Sequence, residues 1–204
     1  MKLSTKPLIL SALVLSALAA PAAAEVSANF GATSNYIWRG GSLSNEGPAI
    51  YGGLDYSHDS GIYAGLWQSS EGFTGSAETD LYAGFSTEFS GVSVDVGAIS
   101  YMYLQADTFN FNEIYASVGF GPVSASVAND SANKNMYFSV SGEFAGVSAT
   151  FGSYAFDDST SDYTHFDLSY SPADSLTLGL SKSDIAGDDQ PRLYVSYGID
   201  FEVK

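Results

Sequence analysis

The feature that most constrains this chain is an alternation of apolar and polar residues with period two, sustained from about residue 25 onward. The last segment is the clearest. Leu193, Val195, Tyr197, Ile199, Phe201 and Val203 share one register, and Arg192, Tyr194, Ser196, Gly198, Asp200 and Glu202 share the other. Successive side chains of a strand point to opposite faces, so this segment has one apolar and one polar face. Residues 78–89 repeat the pattern, with Leu81, Ala83, Phe85 and Phe89 set against Glu78, Asp80, Tyr82, Gly84, Ser86 and Glu88. No convincing helical period appears after residue 24.

Clusters of Gly, Pro, Asn, Asp and Ser punctuate the alternation. They predict twelve strands, at 25–38, 48–58, 62–69, 78–89, 92–103, 111–120, 123–130, 135–144, 147–156, 163–170, 175–184 and 191–203. The connections alternate in length. Short ones fall at 59–61, 90–91, 121–122, 145–146 and 171–174, and longer ones at 39–47, 70–77, 104–110, 131–134, 157–162 and 185–190.

Composition decides what the apolar face meets. Charged residues make up only 15 % of the chain and aromatics 14 %. A disordered acidic chain lacks the aromatics, and a water-soluble domain carries more surface charge. Short turns at one rim and longer loops at the other, with an even strand count, match an outer-membrane barrel. The predicted fold is therefore all-β: a transmembrane antiparallel up-and-down β-barrel of about twelve strands, closed because an open edge would leave unpaired backbone groups in hydrocarbon. The competing fold, a soluble β-sandwich, would not sort its turns by length.

Residues 1–24 read as a secretory signal peptide, with Lys2 and Lys6, an apolar run from Leu8 to Ala20, and small residues at Ala22 and Ala24. That run is short for a membrane-spanning helix. Residues 25–204 then form the barrel. They hold Arg39, Lys134, Lys182, Arg192 and Lys204 against all 23 acidic residues, which excludes a nucleic-acid binder. There is no cysteine, so disulfides and thiolate metal sites are excluded.

Aromatic placement gives an independent check. The apolar registers of the even-numbered strands end in Tyr56, Phe89, Phe120, Phe144, Tyr170 and Phe201, as expected of a lipid-interface girdle. If the apolar register faces lipid, the other lines a lumen. The expected lumen and selectivity residues are Asp55, Glu78, Asp80, Asp95, Glu113, Glu143, Asp167, Arg192 and Asp200, with Glu88 and Glu202 near the ends. Tyr63, Trp67, Tyr82 and Tyr115 share that register and could fill much of the space. Carboxylates in a narrow aqueous tube attract cations and repel anions, so a cation preference is expected. Arg39 is placed at the rim. There it can pair with lumen carboxylates or an anionic solute, or, the favoured reading, contact lipopolysaccharide phosphates or Glu46.

Between Ser34 and Trp67 the sequence becomes specific. It runs Ser34-Asn35-Tyr36-Ile37-Trp38-Arg39-Gly40, then Gly47-Pro48-Ala49, Gly52-Gly53-Leu54 and Gly61-Ile62-Tyr63-Ala64-Gly65-Leu66-Trp67. This resembles the opening of the TorF-type porin family, the Gcw_chp proteins of proteobacteria. The resemblance implies an outer-membrane channel without a known substrate or catalytic residues. The expected partners are outer-membrane lipid and lipopolysaccharide, small hydrophilic solutes and the barrel assembly machinery. No cofactor or metal is expected: Asp157, Asp158, Asp184, Asp188 and Asp189 lack ligand spacing and read as solvated loop acids.

Two alternatives remain. An outer-membrane lipid-modifying enzyme would need His165, oriented by Asp167, within reach of Ser153 or Ser181. A closed structural or adhesive barrel would be expected to carry loops longer than the roughly eight residues found here.

Overall fold

The computed structural model describes residues 25–72 and 74–203. The expected signal peptide, residues 1–24, lies outside the described residues. Among the described residues fourteen strands run in chain order: β1 Glu25–Thr33, β2 Ile37–Trp38, β3 Gly41–Ser42, β4 Ala49–Ser57, β5 Ile62–Ser70, β6 Ala77–Phe89 and β7 Val92–Tyr103. They continue with β8 Phe111–Phe120, β9 Val123–Asp130, β10 Asn135–Phe144, β11 Val147–Ala155, β12 Tyr163–Ala173, β13 Leu176–Ser183 and β14 Arg192–Val203. All but β2 and β3 form one closed antiparallel barrel in which each strand pairs with its sequence neighbours and β1 pairs with both β4 and β14. Closure leaves no edge strand and overturns the sandwich alternative.

The predicted alternation sorts the side chains as expected. Phe30, Leu54, Leu81, Phe85, Ile114, Phe138, Val140, Phe151, Phe166 and Leu193 all stand exposed on the outside of the barrel. The opposite register points inward and is polar or aromatic. No described helix is long and apolar enough to cross a membrane. The short turns gather at one rim and the longer connections at the other, where the strands end at Ser70, Tyr103, Asp130, Ala155 and Ser183.

One segment departs from expectation. The first strand was predicted to run to residue 38, but β1 ends at Thr33. The Ser34 amide still donates to the Val195 carbonyl of β14 at 2.8 Å, and then the chain turns into the barrel. The Thr33 hydroxyl donates to the Asn35 carbonyl at 2.8 Å, and the Tyr36 amide donates to Ser44 Oγ at 2.8 Å. β2 and β3 then pair as a small hairpin. Its two-residue turn is Arg39-Gly40, with φ of 47° and 82°. Positive φ at both central residues is the hairpin geometry that matches strand twist, and Gly40 accepts it without a Cβ penalty. Residues 35–44 are therefore buried or half-buried inside the barrel at the long-loop rim, while Ser34, Asn45, Glu46 and Pro48 stay exposed.

Inward glycines recur directly across from inward aromatics. Gly31 faces Tyr51, Gly65 faces Tyr82, Gly84 faces Tyr63, Gly97 faces Tyr115 and Gly179 faces Tyr194. In each pair the ring lies over the glycine, where a Cβ would collide with it. Glycine thus lets a large ring lie flat against the wall and recover the packing that the missing side chain forgoes.

Candidate functional site

The interior divides into two halves. At the long-loop end it is filled around residues 34–48. Arg39 leaves the rim position expected for it and points inward, where Nη1 and Nη2 donate to Glu113 Oε1 and Oε2, each at 2.7 Å. Its guanidinium also stands 4.3 Å from the Trp38 ring centroid and 4.1 Å from that of Tyr137. A planar cation that can stack on rings and still bond a carboxylate through two parallel hydrogen bonds explains why arginine suits this place. The expected contacts with Glu46 or lipid phosphate are not the ones Arg39 makes. Glu46 instead lies 3.4 Å from Arg192 Nε.

Trp38 packs edge-on against Tyr101 and Phe111. The Tyr36 and Tyr103 hydroxyls each donate to Glu78, at 2.9 Å to separate oxygens. Arg192 pairs with Asp188 and donates to the Gly40 carbonyl at 3.3 Å. Arg39 on β8, Tyr36 on β6 and Gly40 on β14 tie the inward loop to the wall.

The other half, toward the short turns, is more open. Asp55, Tyr82, Ser86, Ser117, Ser126, Ser139, Ser141 and Asp200 are only half-buried there. Asp95 accepts from the Tyr63 hydroxyl at 2.6 Å, and Asp55 accepts from Tyr82 and from Asn29 Nδ2. Of the residues expected to line the lumen, Glu78, Asp80, Asp95, Glu113, Asp167 and Arg192 are buried inside, Asp55 and Asp200 are half-buried inside, and Glu143 lies exposed at the short-turn rim. Asp80 Oδ1 is buried with no hydrogen-bond partner. Tyr56, Phe89, Phe120, Phe144, Tyr170 and Phe201 all project outward at the short-turn rim, with Phe89 and Phe144 at 80 % and 84 % exposure.

The hydrolase geometry is not assembled. His165 Nε2 bonds the Tyr137 hydroxyl at 2.9 Å, and Nδ1 stands 2.9 Å from Asp167 Oδ2. Ser153 falls in the outward register of β11, and Ser181 Oγ is buried without a partner. Neither serine is joined to His165. Sequence reading missed the inward placement of Tyr36 and Trp38. The available signal was the Arg39-Gly40-Gly41 run, which suits a tight turn better than an extended strand. It also missed Asp130, buried at a strand end, whose carboxylate accepts from the Ala132 and Asn133 amides and from Asn133 Nδ2 at 2.6 Å.

In the long loops two carboxylates are held below their usual range. The Thr160 amide bonds Asp158, and the Thr164 amide bonds Asp184 Oδ1 at 2.5 Å, each favouring the ionised form. Among the described residues no group of three or more acidic, histidine or cysteine side chains is placed to hold a metal ion.

A family model described as "Bacterial protein of unknown function (Gcw_chp)" matches residues 17–177. The chain belongs to the Gcw_chp family. No curated protein matches this Gcw_chp chain by sequence. Among solved structures it resembles the KdgM porin, with a TM-score of 0.55 at 10 % identity, covering 87 % of this chain and 99 % of that one. It also resembles the KdgM porin in complex with disordered oligogalacturonate, with a TM-score of 0.52 at 9 % identity, covering 89 % and 100 %. At these identities the likeness concerns the fold. The Gcw_chp chain is a closed twelve-stranded barrel with residues 35–44 folded inside it.

Proposed function

We propose that this Gcw_chp protein is an outer-membrane channel for small hydrophilic solutes, cation-preferring, and narrowed at its outer end by residues 34–48. The observation that carries the reading is the pairing of a continuous exposed apolar exterior with a polar interior in a closed barrel. Such an exterior is stable against lipid tails and costly against water. Resemblance of residues 34–69 to TorF-type porins and the porin fold support the same reading. The protein reaches the membrane through the secretory route and the barrel assembly machinery, and meets lipid and lipopolysaccharide outside.

Cation preference rests on unequal pairing. Both interior guanidinium groups are committed to carboxylates, Arg39 to Glu113 and Arg192 to Asp188 and Glu46. Among the described residues Asp55, Asp95 and Asp200 have no basic partner, which supports a negative field in the interior. An anionic oligosaccharide of the kind named for KdgM suits this interior poorly. The test is the reversal potential across a planar bilayer in a potassium chloride gradient. The expected sign is that of potassium permeation, and an anion-selective sign overturns the preference.

A closed structural or adhesive barrel is the second reading, favoured by the packing around Arg39. Absence of both conductance and solute uptake in reconstituted vesicles would decide for it.

A further inference from the structure

The inner wall is chemically two-sided. Toward the short-turn end, β4 to β8 carry Asp55, Tyr63, Tyr82, Asp95 and Tyr115, whereas β9 to β13 carry mainly serine, threonine and glycine. On this second wall six polar residues are direct cross-strand partners, one per strand. Ser124 pairs with Ser141, Ser141 with Thr150, Thr150 with Asp167, Asp167 with Ser181, and Ser181 with Arg192. A path perpendicular to the strands climbs a barrel because the strands are tilted. It begins beside the 121–122 turn and ends at the first residue of β14, at the opposite rim.

The outer end of this ladder is under-satisfied. Asp167 Oδ1 and the Ser181 hydroxyl are buried without hydrogen-bond partners, Asp167 Oδ2 has His165 Nδ1 beside it at 2.9 Å, and Ser181 is fully enclosed. Buried polar atoms are nearly always paired, and two adjacent exceptions imply something that bonds them. Above them sits Gly40 of the inward loop, whose carbonyl accepts from Arg192. A Cβ at Gly40 would lie 2.5 Å from His165 Cβ and 3.1 Å from Ser183 Cβ, so the turn closes directly onto this patch.

We infer that the ladder from Ser124 to Arg192 is a binding track for an uncharged polyhydroxylated solute, running up to the underside of Gly40. The inference rests on the channel reading above and names a solute class and a path for it. Each serine or threonine hydroxyl both donates and accepts, and Asp167 accepts, which matches a succession of solute hydroxyls. An anion meets the Asp167 carboxylate, and the guanidinium at that end, Arg192, already faces Asp188 and Glu46. A simple cation is better served by Asp55 and Asp95 across the lumen. The Ser141 and Thr150 hydroxyls bond each other at 2.8 Å, and each keeps a further lone pair for a solute hydroxyl.

The test is vesicle swelling with two probes, glucose and the acceptor-only polyether triglyme, alongside potassium conductance of the same preparation. Thr150→Val and Ser181→Ala remove a hydroxyl with little change of shape, and Ser86→Ala on the other wall is the control. Each ladder variant is expected to lower the glucose-to-triglyme uptake ratio about fivefold, the worth of one hydrogen bond, with conductance and the control unchanged. An unchanged ratio in both ladder variants overturns the track and leaves an internal water as the partner of Asp167 and Ser181. Conductance without glucose uptake by the unaltered protein also overturns the track alone. Neither conductance nor uptake overturns the channel reading and the track with it.

Discussion

Arg39 and Glu113, 74 positions apart in sequence, meet inside the barrel through two parallel 2.7 Å hydrogen bonds. The pair ties the tip of the inward hairpin to the wall at β8, with Tyr101 adding a third hydrogen bond to Glu113 at 3.3 Å. Both side chains are withdrawn from water, at 10 % and 2 % exposure, so removing one leaves the other's charge buried alone. Arg39→Ala is expected to destabilise the barrel by about 3–5 kcal/mol and to free the hairpin. Single-channel recording should then show larger or noisier conductance, and thermal migration shift on gels should report the stability loss. Conductance and melting both unchanged would mean that the pair does not hold the loop. Arg39→Lys keeps the charge but loses the fork and the ring stacking, and should fall between the two.

Gly40 supplies the second prediction. Its φ of 82° and the nearness of His165 leave no room for a side chain. Gly40→Ala should cost about 1 kcal/mol from the backbone alone, with displacement of the turn adding to it. Gly187 also has positive φ, 81°, but nothing lies near its absent Cβ, so Gly187→Ala carries only the backbone cost. Thermal gel shift of the two variants should rank Gly40→Ala as the less stable.

The two faces of β10 make a third comparison. Val140 is exposed outside and Ser139 points inward. Val140→Arg should lower stability in lipid by about 2–4 kcal/mol, the range for a mid-barrel cation facing hydrocarbon. Ser139→Arg should be tolerated far better. Urea titration of refolding in vesicles measures both, and equal costs would contradict the assignment of faces.

Acid should loosen one loop selectively. The Thr164 amide and hydroxyl hold the Asp184 carboxylate below its usual range. A carboxyl whose folded pKa is depressed stabilises the fold above its unfolded value, and that contribution fades as pH falls through the folded one. The clip between β12 and the end of β13 should therefore survive to below about pH 4 and then release. The amide resonance of Thr164 should titrate with a midpoint below the ordinary aspartate value in the parent and not at all in Asp184→Asn. A midpoint at or above the ordinary value would contradict the clip.

The strands were legible because each carries its own evidence: alternation fixes the faces and turn residues fix the ends. The lumen register followed from the same rule, so Glu78, Asp80, Asp95 and Asp167 could be placed without knowing their neighbours. Residues 34–38 misled because Tyr36 and Trp38 fit an outward strand as well as they fit a hairpin inside. What draws them inward is the ring packing of Trp38 on Tyr101 and the Tyr36 hydrogen bond to Glu78, and no local pattern records such distant partners. The same limit hid the Arg39–Glu113 pair and the Ser124-to-Arg192 ladder. Both depend on the register of several strand pairs at once, which closure of the barrel determines.

The central claim is that neighbouring residues of one strand face hydrocarbon and water in turn. The chain contains no cysteine, so single cysteines at Phe138, Ser139, Val140 and Ser141 can each carry an environment-sensitive fluorophore without background. In vesicles the emission should alternate, blue-shifted and quenched by lipid-borne quenchers at 138 and 140, red-shifted and quenched by aqueous iodide at 139 and 141. Emission that failed to alternate, or iodide quenching at all four positions, would contradict it.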